Sequence, residues 1–353
     1  MPNRFKYACI GAGGIANKKH LNEYSKLNDI EIAAICDLNK EGAQKLALKY
    51  NIPKVYTDYK EMFAAEKLDI ISICTPNYLH APICIDALRA GIHVHCEKPL
   101  AINADEIRNI IDEKNRSGKK LMVALNNRFT SETVLIRKLV EQGYFGKLYH
   151  AKCGWKRNSG IPGIGRWFTS KKYSGGGALI DLGVHFLDLA LYFMEYPKLI
   201  SVSGAVYSNF KADASRIRAG YKSAENGVFD VEDTAVGFVR LENDATIEMD
   251  FSWASNIEKE VKYVELLGTK GGASFVNGEI TLYSQQEGVC FKAIPDVKTI
   301  SQELGECHYL VDCIVNNREP MASAEEAYEL MRAIDAFYIS AALKREVPLS
   351  PDQ

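Results

Sequence analysis

The stretch Phe5–Ala16 reads FKYACIGAGGIA, a short apolar run that breaks into glycines and then resumes with helical character. We interpret it as a buried first strand, a tight turn and the start of a helix. Gly11, Gly13 and Gly14 lack a Cβ atom, so the backbone there can take positive φ and another group can approach it closely. The free N–H groups at the start of the helix would then attract an anion such as a phosphate.

A second apolar run, Glu31–Cys36, ends in Asp37. In dinucleotide-binding βαβ units, the glycine pattern Gly-x-Gly-x-x-Ala is followed at about this distance by a carboxylate that holds the adenosine ribose. The two features together favour a nucleotide-binding Rossmann unit over a glycine turn without a ligand. The alternative for Asp37 is a turn or N-cap residue before the helix that begins near Lys40.

Length and composition describe an ordinary globular protein. The chain has 353 residues, enough for two domains of usual size, with 47% hydrophobic and 25% charged residues. Its net charge is −2 and it has no long basic run, which argues against nucleic acid or an anionic membrane as a partner. No stretch approaches the roughly 18 apolar residues of a membrane-spanning helix. We therefore expect a cytoplasmic protein that acts on small molecules.

The nine cysteines fit that location. Their number is odd, most have apolar neighbours and no Cys-x-x-Cys pair occurs, so we expect reduced core residues, with neither disulfides nor a zinc site. One metal alternative stays open, because His93 and His95 are separated by one residue on a predicted strand and face the same side.

The pattern of apolar and polar residues changes near residue 125. Before it, short apolar runs alternate with amphipathic segments, as in a parallel sheet covered by helices. After it, long alternating strands such as Ala245–Trp253 predict a mainly antiparallel sheet. The sequence thus predicts an α/β protein with two domains, residues 1–125 and 126–353. The predicted helices of the first domain are Lys18–Leu27, Lys40–Tyr50, Tyr59–Ala65, Ala81–Ala90 and Ala104–Ser117.

Polar residues follow two of the predicted strands at their carboxyl ends, where ligands bind in sheets of this kind. One strand leads into Thr75-Pro76-Asn77-Tyr78-Leu79-His80, which is either a capped turn or a polar lip over the nicotinamide half of a dinucleotide. The next leads into Glu97-Lys98-Pro99. A lysine at a strand end, fixed by the proline after it, is a candidate for chemistry as well as for an ordinary surface position.

In the second half of the chain, Ser174–Asp188 reads SGGGALIDLGVHFLD. The three glycines give a backbone that can pack against a ligand, and the residues after them have helical periodicity. Asp181 and His185 are then four residues apart on one face of a helix. They form either a satisfied core pair or a functional site, and the glycines before them favour a site.

These segments together resemble a known family, that of glucose–fructose oxidoreductase, inositol dehydrogenase and MocA. The resemblance rests on GAGGIA, Asp37, TPNYLH, Glu97-Lys98-Pro99, GGGALIDLGVH and the GTKG turn at 268–271, in the same order and spacing across nearly the whole chain. It implies a Rossmann domain followed by an α/β domain with a large open antiparallel sheet. It further implies a homodimer or homotetramer formed through that sheet, and a cis bond before Pro99.

In members of that family, the lysine of the Glu-Lys-Pro motif and the aspartate and histidine of the Asp-x-x-x-His motif are catalytic. The resemblance therefore assigns catalysis to Lys98, Asp181 and His185. The residue types suit the oxidation of a secondary alcohol, which sends a hydride to the nicotinamide and a proton to a base. His185 would take the proton, Lys98 would stabilise the developing charge on oxygen, and Asp181 would orient the substrate and favour the imidazolium.

The resemblance also implies the cofactor contacts. Asp37 would bind the ribose hydroxyls and repel a 2′-phosphate, so NAD is expected in preference to NADP, although Lys40 lies near it in sequence. The expected cofactor-binding residues are Gly11, Gly13, Gly14, Ile15, Asp37, Thr75, Asn77, His80, Glu97 and Lys98. Candidates for the substrate pocket, which alternatively form surface salt bridges and a core tryptophan, are Arg128, Arg157, Arg166 and Trp167.

The expected function is an NAD-dependent dehydrogenase that oxidises a secondary alcohol of a sugar, a sugar derivative or an inositol-like cyclitol. One alternative is an NAD-using glycoside hydrolase or lyase that oxidises its sugar only transiently and shows no net redox change. Another is an NAD-binding regulator without catalysis, which would have no need of Lys98, Asp181 and His185 together. No metal is expected in any of these.

Overall fold

The computed structural model describes residues 4–299 and 305–349. They form two compact units, the first made of 4–125 and 305–328 and the second of 126–299 and 329–349. The sequence predicts that everything after residue 125 lies in the second domain, whereas 305–328 groups with the first. The reason is local to the first unit: the helix Glu306–Val315 lies against the helix Leu21–Tyr24, and the Val123 N–H donates to the carbonyl of Ala322.

The first unit contains a parallel sheet of six strands. The strands are β1 Phe5–Ile10, β2 Ile30–Cys36, β3 Lys54–Tyr56, β4 Ile70–Ile73, β5 His93–Cys96 and β6 Leu121–Val123. Their order is β3-β2-β1-β4-β5-β6, so the order reverses between β1 and β4. In doubly wound sheets this is the point where ligands bind, beyond the carboxyl ends of the strands. The sheet therefore places the turns after β1 and β4 side by side at the expected cofactor site.

The helices of the first unit begin at polar caps that the sequence contains. Asn39 Oδ1 accepts the N–H of Gly42 at 3.1 Å, and Asp58 and Asn103 cap their helices in the same way. The first helix differs from the predicted Lys18–Leu27, because Ala16–His20 forms a π-helical turn that continues into a short α-helix. The α-helices are Leu21–Tyr24, Lys40–Tyr50, Tyr59–Ala65, His80–Arg89, Ala104–Ser117 and Glu306–Val315.

The second unit contains a mixed sheet of nine strands. The strands are β7 Leu148–Lys156, β8 Leu199–Tyr207, β9 Thr234–Leu241, β10 Thr246–Ser252, β11 Val261–Gly268, β12 Gly271–Val276, β13 Glu279–Gln286, β14 Val289–Ala293 and β15 Val347–Pro348. Their order is β14-β13-β12-β11-β7-β10-β9-β8-β15. Only β7 and β10 pair in parallel among these strands; the other neighbours are antiparallel. This agrees with the predicted large, mainly antiparallel sheet.

Helices cover one face of the nine-stranded sheet. The helix Val184–Phe193 lies against β7 and β11, while Gly204 of β8 and Gly237 of β9 leave room for the ring of Phe337. The α-helices are Ser131–Glu141, Lys171–Ser174, Val184–Phe193 and Ala324–Leu343, of which the last belongs to this unit from residue 329 onward. A larger residue than glycine would not fit at these two positions, because an aromatic side chain fills the space above them.

One stretch of the described residues, Lys171–Phe193, is long and apolar enough to cross a membrane by length and composition. The expectation that no such stretch exists is therefore wrong. In its most apolar window, however, 83% of the residues are buried inside the protein. A helix that is apolar on all sides is also what the core of a globular unit requires. The nine cysteines are free thiols, and all except Cys290 are buried, as the sequence predicts.

Candidate active site

The glycine-rich turn follows β1 at the carboxyl end of the parallel sheet. Gly11 has a φ of +99°, and a Cβ atom there would lie 2.5 Å from the carbonyl oxygen of Cys74. Gly13 and Gly14 differ, because a Cβ atom at either would meet no non-neighbouring heavy atom within 4 Å. The space over the turn is open, and the exposed side chain of Ile15 borders it. An open glycine turn that leads into a helix N-terminus fits a pyrophosphate.

Asp37 ties the end of β2 to this turn. Its Oδ2 accepts the N–H of Ala12 at 2.6 Å, and its Oδ1 accepts the N–H of Asn39 at 2.7 Å. The N-cap of the helix Lys40–Tyr50 is Asn39, so the interpretation of Asp37 as that N-cap is wrong, although its carboxylate does support the turn. A carboxylate has about four acceptor sites. Half-exposed Asp37 therefore retains acceptors for ribose hydroxyls.

The turn after β4 contains an unsatisfied hydroxyl and a bracing histidine. Thr75 Oγ1 is buried and has no hydrogen-bond partner among residues 4–299 and 305–349, a costly state that a bound cofactor would relieve. Asn77 is buried nearby in the same turn. The ring nitrogens of His80 lie 2.8 Å from the carbonyl oxygen of Thr75 and 2.7 Å from that of Pro99. His80 thus connects two turns of the expected cofactor site, and both of its ring nitrogens are engaged there.

The Glu97-Lys98-Pro99 segment follows β5 and contains a cis peptide bond between Lys98 and Pro99, as the resemblance implies. Glu97 Oε1 lies 2.9 Å from Nε2 of His20. Burial tends to raise the pKa of Glu97, but the contact with His20 and the positive charges of Lys19 and Lys98 outweigh it and lower the pKa to about 2. Glu97 is therefore an ionised carboxylate directly beside Lys98.

A buried cluster of the first unit has the donor types of a metal site. Donor atoms of His20, His95 and Cys307 lie within 4.8 Å of one another. The ring nitrogens of both histidines already have partners, so the cluster is satisfied without an ion. His93 is not part of it, because its Nδ1 accepts the N–H of Lys120. The partners are Ser72 and Glu97 for His20, and Tyr24 and Glu306 for His95.

In the second unit, Asp181 lies in a π-helical turn, Leu179–Gly183, and His185 in the first turn of the helix that follows. Asp181 Oδ2 accepts the indole N–H of Trp253 at 2.9 Å. The ring of His185 lies beside that of Trp155, with 5.9 Å between their centroids. The two tryptophans at the ends of β7 and β10 therefore surround the expected acid–base pair.

Two of the three glycines before Asp181 pack against protein, which corrects the expectation that they pack against a ligand. A Cβ atom at Gly176 would overlap the hydroxyl of Tyr338, and one at Gly177 would overlap the carbonyl of Glu232. The Glu232 carboxylate also accepts the N–H groups of Gly177 and Leu179. These glycines position the turn that carries Asp181 by letting it approach Glu232, which precedes β9, and the helix Ala324–Leu343 closely.

Arg157 is the substrate-pocket candidate that the structure brings to this group. It is buried, its Cζ lies 4.3 Å from the centre of the Trp155 ring, and its Nε lies 3.5 Å from Glu260 Oε1. The same Glu260 oxygen accepts the indole N–H of Trp155 at 2.5 Å. Asp181 acts electrostatically on Arg157. The sequence does not single out Trp155, Trp253 or Glu260, although all three flank strand ends.

The other three candidates for the substrate pocket also belong to the second unit, and each has contacts with other residues of the protein. Arg128 is fully buried and donates from Nε and Nη2 to the carboxylate of Asp188 at 2.9 and 2.5 Å, so it has a structural role in the core. Arg166 is exposed and donates from Nε to the carbonyl of Lys222 at 2.6 Å. Trp167 stacks on Phe168 with 3.7 Å between ring centroids. None of these contacts involves Asp181 or His185.

Comparisons with known proteins match the Rossmann part of the chain and the part after it to one family. Residues 5–125 match the family model described as an oxidoreductase family with an NAD-binding Rossmann fold, and residues 133–274 match the Gfo/Idh/MocA C-terminal domain. D-glucoside 3-dehydrogenase of Escherichia coli (strain K12) is 32% identical over 346 residues, which are 98% of this chain and 97% of that protein. A putative UDP-kanosamine synthase oxidoreductase subunit of Amycolatopsis mediterranei (strain S699) is 30% identical over 75% of this chain and 73% of its own.

A solved structure of levoglucosan dehydrogenase in complex with NADH superposes with a TM-score of 0.86 and covers 99% of this chain and 100% of its own. The superposition shows a shared fold, and at a sequence identity of 21% it shows the fold alone. The two family models and the full-length glucoside dehydrogenase match decide the assignment. The chain is a Gfo/Idh/MocA family member, an NAD-binding oxidoreductase.

Proposed function

We propose that the protein is an NAD-dependent dehydrogenase that oxidises a secondary alcohol of a sugar, a sugar derivative or a cyclitol. The observation that carries the proposal is the pairing of Asp181 with Trp253 and of His185 with Trp155 at one end of the nine-stranded sheet, in a chain whose family binds NAD. The 32% identity with a D-glucoside 3-dehydrogenase over nearly the full length supports a sugar as the substrate.

Three side chains carry the proposed reaction. NAD, when bound, accepts the hydride. His185 takes the hydroxyl proton onto an imidazole nitrogen, Lys98 donates a hydrogen bond to the alcohol oxygen as negative charge develops, and Asp181 favours the protonated imidazole. Glu97, the residue before Lys98, is ionised and adds a negative charge close to that lysine. Each role suits the chemical type of the residue.

For the cofactor, we propose that Asp37 selects NAD over NADP. Its carboxylate oxygens accept two backbone N–H groups and are held in place by them. A 2′-phosphate at the same point would meet that fixed negative charge. Gly11, Gly13, Gly14 and Ile15 would line the pyrophosphate, with Thr75, Asn77 and Lys98 toward the nicotinamide.

We also propose a cytoplasmic homodimer or homotetramer that associates through the nine-stranded sheet. The face of the sheet away from the helices carries the exposed side chain of Val236 and the ring of Phe238, beside the ion pair of Lys152 with Glu248. Its apolar part is suited to a second copy. Light scattering on purified protein tests this, since a monomer at micromolar concentration contradicts it.

The test of the activity is the formation of reduced nicotinamide when protein is mixed with NAD and a panel of glycosides, aldoses, sugar alcohols and inositols. Stoichiometric reduction of NAD identifies a dehydrogenase. Consumption of a glycoside without net reduction would identify the redox-neutral hydrolase or lyase. NAD binding with no turnover of any compound would favour the third possibility, an NAD-binding regulator without catalysis.

A further inference from the structure

We propose that Arg157 and Glu260 bind two neighbouring hydroxyl groups of the substrate, close to the alcohol that is oxidised. The inference rests on the proposed dehydrogenase activity and names the feature of the sugar that this chain recognises. It follows from a buried guanidinium that the protein itself leaves largely unpaired, from the rigid seat that holds it, and from the charges around it.

The guanidinium of Arg157 is buried but has few protein partners. The residue is 4% exposed. Its one ionic contact within the described part of the chain joins Nε to Glu260 Oε1 at 3.5 Å, which leaves the terminal nitrogens Nη1 and Nη2. A guanidinium has five N–H donors, and neither terminal nitrogen is among the polar atoms of the described residues that are both fully buried and without a partner, so a ligand can reach them. A ligand with hydroxyl oxygens would supply the missing acceptors.

The side chain of Arg157 is held rigidly by its neighbours. The guanidinium stacks on Trp155 at 4.3 Å, and the backbone N–H of Arg157 donates to the carbonyl of Ser252 at 3.0 Å. Gly160 leaves room for the side chain, because a Cβ atom there would overlap Cδ of Arg157. A side chain held in one rotamer loses little entropy when it binds a ligand, as a specificity residue requires.

Glu260 places an acceptor next to these donors. Its side chain is 46% exposed, and Oε1 is occupied by the indole N–H of Trp155. The second oxygen, Oε2, has no protein partner among the described residues. One planar donor group and one planar acceptor group side by side match two adjacent hydroxyls, each of which both donates and accepts.

The surrounding charges favour neutral hydroxyls over a carboxylate or a phosphate. Burial lowers the pKa of Arg157, the carboxylates of Asp181 and Glu260 oppose that shift, and the positive charge of Arg218 adds to it. The positive charges of Arg157 and Arg218 are thus already balanced by two carboxylates. An anionic substituent in this position would meet both of them. The ring of Trp155 lies 4.3 Å from Cζ of Arg157 and 5.9 Å from the ring of His185, which places the hydroxyl-binding pair close to the proposed reacting group.

The test uses methyl β-D-glucopyranoside and its 2-deoxy and 4-deoxy forms as probes, with glucuronate and glucose 6-phosphate as anionic probes. Sugar affinity is measured by tryptophan fluorescence in the presence of NADH, and kcat/KM by reduction of NAD. For Arg157→Met and Glu260→Gln we expect a loss of about 10- to 100-fold in both quantities. The deoxy probe that lacks the contacted hydroxyl should bind wild type and Arg157→Met about equally.

Controls separate this inference from the proposed activity. Arg108→Met removes an exposed arginine that lies over the ring of Tyr328 in the first unit, and it should behave as wild type. Unchanged NADH affinity and Tm show that Arg157→Met is folded, and Arg157→Lys should restore part of the sugar affinity.

An Arg157→Met protein that binds the glucoside within twofold of wild type, while wild type oxidises it, would overturn the inference and leave the activity standing. The inference would also be overturned if Arg157→Met weakened the binding of the anionic probes alone and left the affinity for the neutral glucoside unchanged. A wild type that neither binds nor oxidises any probe would count against both proposals.

Discussion

The indole N–H of Trp253 donates a hydrogen bond of 2.9 Å to Oδ2 of Asp181. Trp253 is fully buried, and its backbone N–H is bonded to the carbonyl of Asp233 at 2.8 Å. The donor is therefore fixed by the sheet, whereas its acceptor lies on a π-helical turn. Through this bond the sheet holds the carboxylate of Asp181 in one orientation.

Loss of this hydrogen bond should lower activity. In Trp253→Phe the ring volume is largely retained but the donor is absent, so we expect kcat/KM to fall about 10-fold or more, as for loss of a hydrogen bond to a charged group. NAD affinity should stay unchanged. Steady-state kinetics with a Tm measurement check this, and a folded variant with wild-type kcat/KM would show that Trp253 only fills the core.

Lys98→Met should abolish turnover while NAD binding is largely retained. The methionine keeps the length of the side chain but cannot donate a hydrogen bond to the developing negative charge, a loss that costs about 100-fold or more in kcat when such a donor is essential. Turnover and NAD titration measure the two effects separately. A variant with most of the wild-type rate would remove Lys98 from the mechanism.

Asp37→Ala should weaken NAD binding and narrow the preference for NAD over NADP. The substitution removes both the fixed negative charge and the acceptor for the N–H groups of Ala12 and Asn39. The matched control is Asn39→Ala, which deletes the N-cap of the same helix and should lower stability by about 1 kcal/mol without changing cofactor preference. If the ratio of NAD affinity to NADP affinity is the same in wild type and in Asp37→Ala, Asp37 only supports the turn and does not select the cofactor.

The stability of the protein should fall in mild acid because of His93. Burial, with a smaller effect from Lys119, lowers the pKa of His93 to about 4, and its Nδ1 accepts the N–H of Lys120, which needs the neutral ring. An unfolded histidine titrates near pH ~6.5. Below that pH the unfolded chain binds a proton that the folded state does not, so the free energy of unfolding decreases as the pH drops from about 6.5 to about 4.

Urea unfolding of wild type and His93→Asn across this range measures the effect. Asparagine keeps an acceptor near the position of Nδ1 but does not titrate, so its unfolding free energy should depend less on pH. Parallel pH dependences for the two proteins would show that His93 is protonated equally in both states.

Much of the fold follows from local sequence signals. The helices Lys40–Tyr50, Tyr59–Ala65 and Ala104–Ser117 have the predicted bounds, because apolar spacing and a polar cap specify each of them. The strands β3, β14 and β15 were not predicted. Each is short or exposed, and pairing with a neighbouring strand rather than its own pattern makes it a strand.

The candidate site also has a part that local sequence predicts and a part that depends on tertiary packing. The glycine turn and Asp37 are close in sequence, and their spacing predicts a common nucleotide site; the structure adds the hydrogen bond from the Ala12 N–H to Asp37. Trp253 and Asp181 are 72 residues apart and meet only through the packing of the sheet, so no spacing rule finds them. Arg128 illustrates the opposite error: its charge suggests a ligand, yet Asp188, 60 residues later, satisfies it in the core.

The proposed hydride transfer is tested by the absorbance of reduced nicotinamide when wild type and His185→Ala are each mixed with NAD and the sugar panel. We expect stoichiometric NADH formation by wild type with at least one neutral sugar or cyclitol, and its loss in His185→Ala with NAD still bound. NADH formation at the same rate by both proteins would contradict the assignment of His185, and a silent wild type that binds NAD would contradict the dehydrogenase itself.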